Sequence, residues 1–79
     1  MDNFEKYKEA FKEAFEIGDE SITDELAYES IPEWDSVGHM RLMAGLEDAF
    51  DIMLETEDIL EFASFGKGKE ILAKYDVTI

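Results

Sequence analysis

The sequence predicts an all-α fold, a small bundle of three longer helices and one short helix with a long loop between the first two. Residues 4–15 and 36–50 carry this prediction, because their apolar residues recur at the three- and four-residue spacing of an amphipathic helix. A chain of 79 residues has the size of one domain with one modest core, and we expect residues 1–79 to form it. The chain has no cysteine, so the fold must depend on packing without disulfides.

The first helix carries an aromatic stripe along one face, which we expect to be buried. Its members are Phe4, Tyr7, Phe11, Ala14 and Phe15. Asp2 or Asn3 can cap the start of this helix, and Gly18 is expected to end it.

Residues 19–35 form a long acidic connection with scattered apolar anchors. The anchors are Ile22, Leu26, Tyr28, Ile31 and Trp34. Pro32 breaks any helix at its position, and we expect a short helical turn near Asp24 to Tyr28. A calcium loop of the EF-hand type is excluded, because its sixth position is Asp24 instead of glycine and its twelfth is Ser30 instead of glutamate. We therefore expect no specific metal site, and weak, nonspecific binding of cations to the clustered carboxylates stays open.

The second helix is predicted from Ser36 to Phe50 and presents two different faces. The inward stripe consists of His39, Leu42, Met43, Leu46 and Phe50. The outer face consists of Val37, Met40, Arg41, Ala44, Glu47 and Asp48. Ser36 lies at the helix N-terminus, on the border between the faces, where it can be reached from outside.

Two shorter helices are expected to complete the bundle. Thr56 can cap a turn or two that extends to Phe62, and Ser64 can cap the last helix. The last helix and the tail point their apolar residues inward, namely Phe65, Ile71, Leu72, Tyr75, Val77 and Ile79.

The charge of the chain is strongly negative and localised. It has 21 acidic and 7 basic residues, a net charge of -14, and Arg41 is the only basic residue between Glu13 and Glu61. Nucleic acid is therefore excluded as a partner, since its phosphates require a basic face. Solubility and attraction to partners with basic patches both explain the acidity. No apolar run has membrane-spanning length and no signal peptide is recognisable, so we expect a cytoplasmic protein. We also expect it to be a monomer.

Ser36 is the residue with the most distinctive chemistry. A helix N-terminus presents unpaired N–H groups and the positive end of the helix dipole, so its serine can carry a phosphodiester. Asp35 can help to position a modifying enzyme. The simpler interpretation is that Asp35 and Ser36 are a capping pair.

Asp35-Ser36-Val37 opens the second helix, and the segment MRLMAGLEDAFDI follows shortly after. This pattern resembles the acyl carrier protein family, whose Asp-Ser-Leu motif opens the second helix and carries 4′-phosphopantetheine on its serine. The acidic loop, the helix ending in LEDAF and the short helix near TEDILEF extend the resemblance over essentially all 79 residues. It implies a four-helix bundle of acyl-carrier-protein type. It also implies a non-catalytic carrier with its cargo held as a thioester on a prosthetic group at Ser36.

The resemblance also implies partners and roles for other residues. The partners are a phosphopantetheinyl transferase, an acyl- or aminoacyl-activating ligase, and acyltransferase or synthase enzymes with basic patches. They would contact the outer face of the second helix, Val37, Met40, Arg41, Ala44, Glu47 and Asp48. Trp34 would anchor the loop and His39 would orient the helix start. A cargo cavity would be lined by Leu42, Met43, Leu46, Ile59 and Leu60.

The sequence departs from the housekeeping fatty-acid carriers, which usually have leucine and then an acidic residue after the serine. Here Val37, Gly38 and His39 follow it, and Trp34 precedes the motif. These departures favour a specialised carrier for lipid, polysaccharide or secondary-metabolite assembly, or an aminoacyl carrier.

A hydrolase and an unmodified interaction module are two other classes of function for this sequence. Asp35, Ser36 and His39 are the residue types of a hydrolase triad, but they are crowded at one helix start without an oxyanion loop. An unmodified acidic helical module for protein-protein interaction is the alternative to a carrier, and it would not need the Ser36 hydroxyl.

Overall fold

The computed structural model describes residues 2–79 and contains four α-helices. They are α1 (Asn3–Phe15), α2 (Ser36–Phe50), α3 (Thr56–Glu61) and α4 (Phe65–Ala73), with one turn of 3-10 helix at Asp19–Ser21. Within residues 2–79 there is no β-strand, and extended pairing is limited to an isolated antiparallel bridge between Ala27 and Ser64. The all-α prediction is confirmed, and α2 has the bounds that the sequence predicted.

The start of α1 agrees with the prediction, whereas its end does not. The Asp2 side chain accepts a hydrogen bond from the Glu5 N–H at 2.8 Å. The helix ends at Phe15, because Glu16 adopts a left-handed conformation with φ 55°. The Ile17 N–H then bonds back to the Lys12 carbonyl at 3.3 Å. A residue other than glycine thus provides the left-handed cap, and the expectation that Gly18 ends the helix is wrong.

The core is dominated by aromatic rings. Phe11 lies at its centre, with its ring centroid 4.9 Å from that of Tyr7, 5.6 Å from Trp34 and 5.0 Å from Phe65. Most of these contacts are edge-to-face, the geometry that aromatic quadrupoles favour. Phe4, which was expected in the core, is 40% exposed. The Lys8 and Lys69 ammonium groups cover its ring at 5.2 and 5.5 Å.

The loop between α1 and α2 is tied to the connection between α3 and α4. The Tyr28 N–H bonds to the Ala63 carbonyl at 2.9 Å, and the Phe65 N–H bonds to the Leu26 carbonyl at 2.8 Å. Near Asp24 to Tyr28 the chain forms a single hydrogen-bonded turn and no helix. The Leu26 N–H donates to the Thr23 carbonyl at 3.0 Å, whereas the Leu26 carbonyl and the Tyr28 N–H pair with residues distant in sequence. Of the expected anchors, Leu26 and Trp34 are buried, whereas Tyr28 is 38% exposed.

The second half of the chain confirms one predicted cap and corrects another. Ser64 caps α4 by accepting a hydrogen bond from the Lys67 N–H at 3.0 Å, as expected. Thr56 is the first residue of α3 and not its cap; Glu55 occupies the cap position without a side-chain hydrogen bond. Val77 is buried and Ile79 packs against the core, which confirms the predicted tail.

A buried carboxylate joins α3 to the end of the chain. Asp58 is 3% exposed and accepts hydrogen bonds from the Lys74 ammonium and the Tyr75 hydroxyl. The Tyr75 oxygen in turn accepts a bond from the Glu55 N–H at 3.0 Å. The hydrogen bonds from Lys74 and Tyr75 hold the pKa of Asp58 below its usual value.

Within residues 2–79, no helix combines the length and apolar character needed to cross a membrane.

Candidate modification site at the start of α2

Ser36 is the first residue of α2, and its side chain is exposed. The capping role belongs to Asp35, whose Oδ1 accepts a hydrogen bond from the Gly38 N–H at 2.8 Å. Ser64 precedes α4 in a similar way, but there the serine hydroxyl is itself the cap. Of the suggested capping pair, only Asp35 therefore acts as a cap. The Ser36 hydroxyl has no capping role.

The Ser36 hydroxyl has a tyrosine as its neighbour. Ser36 Oγ lies 3.2 Å from the Tyr28 hydroxyl, and either group can donate the hydrogen bond. Tyr28 also packs edge-to-face against His39, with ring centroids 5.6 Å apart. The sequence suggested Tyr28 only as an apolar anchor, because nothing in the chain order brings it next to Ser36.

A row of hydrogen bonds beneath Ser36 joins three elements. The buried Trp34 donates through Nε1 to His39 Nδ1 at 3.0 Å. Because an indole N–H can only donate, we assign the His39 proton to Nε2, which donates to the Ile59 carbonyl at 2.8 Å. This geometry agrees with the expected roles of Trp34 as the loop anchor and His39 as the residue that orients the helix start. The preceding loop, α2 and α3 are thus fixed to one another at this point.

Gly38 permits the close approach of the loop to the first turn of α2. A Cβ atom at this position would lie closer than 3.0 Å to the Glu33 carbonyl oxygen and 3.2 Å from Cε1 of Phe15. In the sequence, Gly38 is only a departure from a motif. Its packing role depends on a contact with the loop that no local pattern encodes.

The outer face of α2 is exposed, with one exception. Val37 is 62% and Met40 56% exposed. Arg41, Ala44 and Asp48 are also exposed. Glu47 is half-buried, and its Oε2 accepts a hydrogen bond from the Leu54 N–H at 2.9 Å. Glu47, expected on the partner-contact face, therefore also fixes the connection after α2.

An exposed apolar side chain also occurs outside α2. Leu60 of α3 is 78% exposed, and it follows Ile59, whose carbonyl is bound by His39. Leu60 was expected to line a cargo cavity, and its exposure contradicts this expectation. Leu42, Met43 and Leu46 are at most 1% exposed and belong to the closed core.

A groove of about 270 Å³ lies instead between α1 and α2. Its lining residues are Lys6, Glu9, Ala10, Glu13, Gly45 and Ala49. Across residues 2–79, no group of three or more histidine or acidic side chains is arranged to hold a metal ion.

Asp35, Ser36 and His39 do not form a connected triad. Asp35 bonds to the Gly38 N–H, and both ring nitrogens of His39 have partners in Trp34 and Ile59. Ser36 contacts Tyr28 instead. His39 is therefore not oriented to take a proton from Ser36.

The chain was also compared with known protein families, curated proteins and solved structures. None of the three comparisons found a match.

Proposed function

We propose that this protein is a carrier that holds an acyl or aminoacyl group as a thioester on a 4′-phosphopantetheine arm attached to Ser36. One observation carries the proposal: Ser36 presents an exposed hydroxyl on the first residue of α2, while Asp35 performs the capping. The proposal includes a bundle of acyl-carrier-protein type, a monomeric state and a cytoplasmic location. It also includes a role outside the main fatty-acid pathway, in lipid, polysaccharide or secondary-metabolite assembly.

The surroundings of Ser36 fit a phosphodiester. The first-turn N–H groups of a helix have no acceptor within the helix, and the helix dipole favours negative charge there. Asp35 uses the Gly38 N–H, and Ser36 and Val37 belong to the same first turn of α2. The prosthetic group supplies a terminal thiol that the chain, which lacks cysteine, does not have.

The rigid support beneath Ser36 favours presentation to other proteins. Trp34 is 0% exposed and is bonded to His39, so the loop before α2 has a fixed position. A partner enzyme meets a hydroxyl whose backbone is already ordered, which reduces the entropic cost of docking.

The exposed face of α2 supports docking by basic partners. Val37 and Met40 provide apolar contact area next to Ser36, within the strongly acidic middle of the chain. An apolar centre with an acidic surround complements an enzyme with a basic patch around its active site. We assign this role to a phosphopantetheinyl transferase, an activating ligase and acyltransferase or synthase enzymes.

The test is the intact mass of the protein after incubation with coenzyme A and a phosphopantetheinyl transferase of broad specificity. We expect the parent and Ser21→Ala to gain one phosphopantetheinyl group each, whereas Ser36→Ala gains none. Ser21 is a matched control because it is a serine of the 3-10 turn and not part of α2. A folded parent that gains no mass with several transferases refutes the carrier proposal.

The second candidate is an unmodified acidic interaction module. The exposed apolar side chains of Val37, Met40 and Leu60 favour it, since they can contact a partner without any prosthetic group. Binding of a basic partner that is unchanged in Ser36→Ala and lost in Met40→Glu, in a chain that is never modified, would establish this function.

A further inference from the structure

Tyr28 and Ser36 meet although eight positions separate them in the chain. Their hydroxyl oxygens lie 3.2 Å apart, and both side chains are exposed. Any group attached to Ser36 Oγ would therefore begin next to the Tyr28 hydroxyl.

The main chain holds Tyr28 in this position. The Tyr28 N–H bonds to the Ala63 carbonyl at 2.9 Å, and the next N–H, of Glu29, bonds to the Trp34 carbonyl at 2.9 Å. Glu29 has φ 63°, a left-handed conformation that is unusual for a residue other than glycine. The loop thus bends back at Glu29 and returns Tyr28 to the start of α2.

The three tyrosines of the chain use their hydroxyl groups differently. Tyr7 is buried and donates to the Phe65 carbonyl at 2.6 Å. Tyr75 donates to the buried Asp58 and accepts from Glu55, so it fixes α3. Both of these hydroxyl groups hold the fold together. The Tyr28 hydroxyl bonds at the surface to a side chain that is itself exposed, and the main-chain bonds already fix the loop.

We propose that Tyr28 is a positioning residue for the modification of Ser36, an inference that rests on the proposed carrier function. Its hydroxyl restricts the rotamer of Ser36 so that Oγ faces the incoming phosphate, and then donates a hydrogen bond to an oxygen of the phosphodiester. Asp35, the other polar neighbour, can only accept hydrogen bonds when ionised, so it cannot make this contact.

The transfer that Tyr28 assists balances as a substitution at phosphorus. Ser36 Oγ forms a bond to the phosphorus of coenzyme A that bears the pantetheine. The bond from that phosphorus to the oxygen shared with the second phosphate breaks, and adenosine bisphosphate leaves with that oxygen. A base of the transferase takes the Ser36 proton.

The test compares Tyr28→Phe with Tyr75→Phe and the parent in steady-state transfer from coenzyme A. Because Tyr28→Phe removes only a hydrogen bond that aligns the nucleophile, we expect kcat to fall about threefold to tenfold while KM for the carrier and the melting temperature stay the same. Tyr75→Phe should lower the melting temperature and leave kcat unchanged where it is folded. Phosphorus NMR of the modified parent and modified Tyr28→Phe should show different chemical shifts.

The outcomes separate this inference from the carrier proposal. If Tyr28→Phe is modified with the kcat of the parent, the positioning role is wrong and the carrier function stands. A fall in kcat that is explained by a smaller folded fraction of Tyr28→Phe also overturns the inference, because the hydroxyl then has a structural role. A parent that is never modified overturns both.

Discussion

Replacing Gly38 with alanine places a methyl group between α2 and the loop that precedes it. The added Cβ would lie closer than 3.0 Å to the Glu33 carbonyl oxygen, a separation that such atoms essentially never show. Phe15 Cε1, at 3.2 Å on another side, leaves the methyl group little room to shift. The main chain at Glu33 must therefore move outward, and Trp34 moves with it.

The expected magnitude follows from two opposing effects. Overpacking costs about 1–3 kcal/mol, and the upper end applies here because the obstructing atom belongs to the main chain. Replacing a helical glycine with alanine increases stability by about 1 kcal/mol, because alanine has the higher helix propensity. The net loss is about 2 kcal/mol, which for a domain of this size lowers the melting temperature by about 8–16 °C.

Gly45, in the same helix, is the matched control. An added Cβ at Gly45 meets nothing within 4 Å, so only the propensity effect remains. We expect Gly45→Ala to raise the stability by about 0.5–1 kcal/mol. The assay is urea unfolding followed by circular dichroism, together with the fluorescence of Trp34, the only tryptophan. Emission from folded Gly38→Ala should shift to the red as the loop opens.

The two variants should therefore change stability in opposite directions. If Gly38→Ala is as stable as Gly45→Ala and its Trp34 emission matches that of the parent, the loop does not pack against α2 as described. Ser36 would then also lack the rigid support of this loop.

Three further predictions concern other features of the fold. His39→Ala leaves the buried N–H of Trp34 without an acceptor, so urea unfolding should show a loss of about 2–3 kcal/mol. Asp58→Asn places an amide where Lys74 and Tyr75 both donate, and the melting temperature should fall. Since the folded pKa of Asp58 is lowered, its contribution is complete above the ordinary aspartate pKa, about 3.9, and is lost as the pH falls through the lower folded value. The net charge of -14 produces self-repulsion, so added salt should raise the melting temperature of the parent.

Each of these predictions has a contrary result. Unchanged stability of His39→Ala would show that another group satisfies Trp34. If Asp58→Asn has the melting temperature of the parent at neutral pH and at acid pH, the Asp58 carboxylate does not stabilise α3. A melting temperature that does not respond to salt would mean that repulsion among the acidic residues is unimportant.

Much of the fold could be predicted because it depends on local patterns. The periodicity of α2 determined its bounds, and the side chains of Asp2 and Ser64 act as caps of the helices they precede. The errors occurred where distant residues decide the conformation. Glu16 instead of Gly18 ends α1 in a left-handed conformation, and Ile17 after it packs against the core. Leu60, apolar in a helix, is exposed, whereas Ile59 beside it packs against the core.

The sequence by itself determined an acidic all-α domain, the position of Ser36 at the start of α2 and the apolar outer face beside it. Helix periodicity, capping and charge act over a few residues, so they can be read along the chain. Only the tertiary structure placed Tyr28 against Ser36, joined Trp34 through His39 to α3, and gave Gly38 its contact with Glu33. These contacts depend on how the loop folds back onto α2 and α3, a path that helix periodicity and capping patterns do not specify.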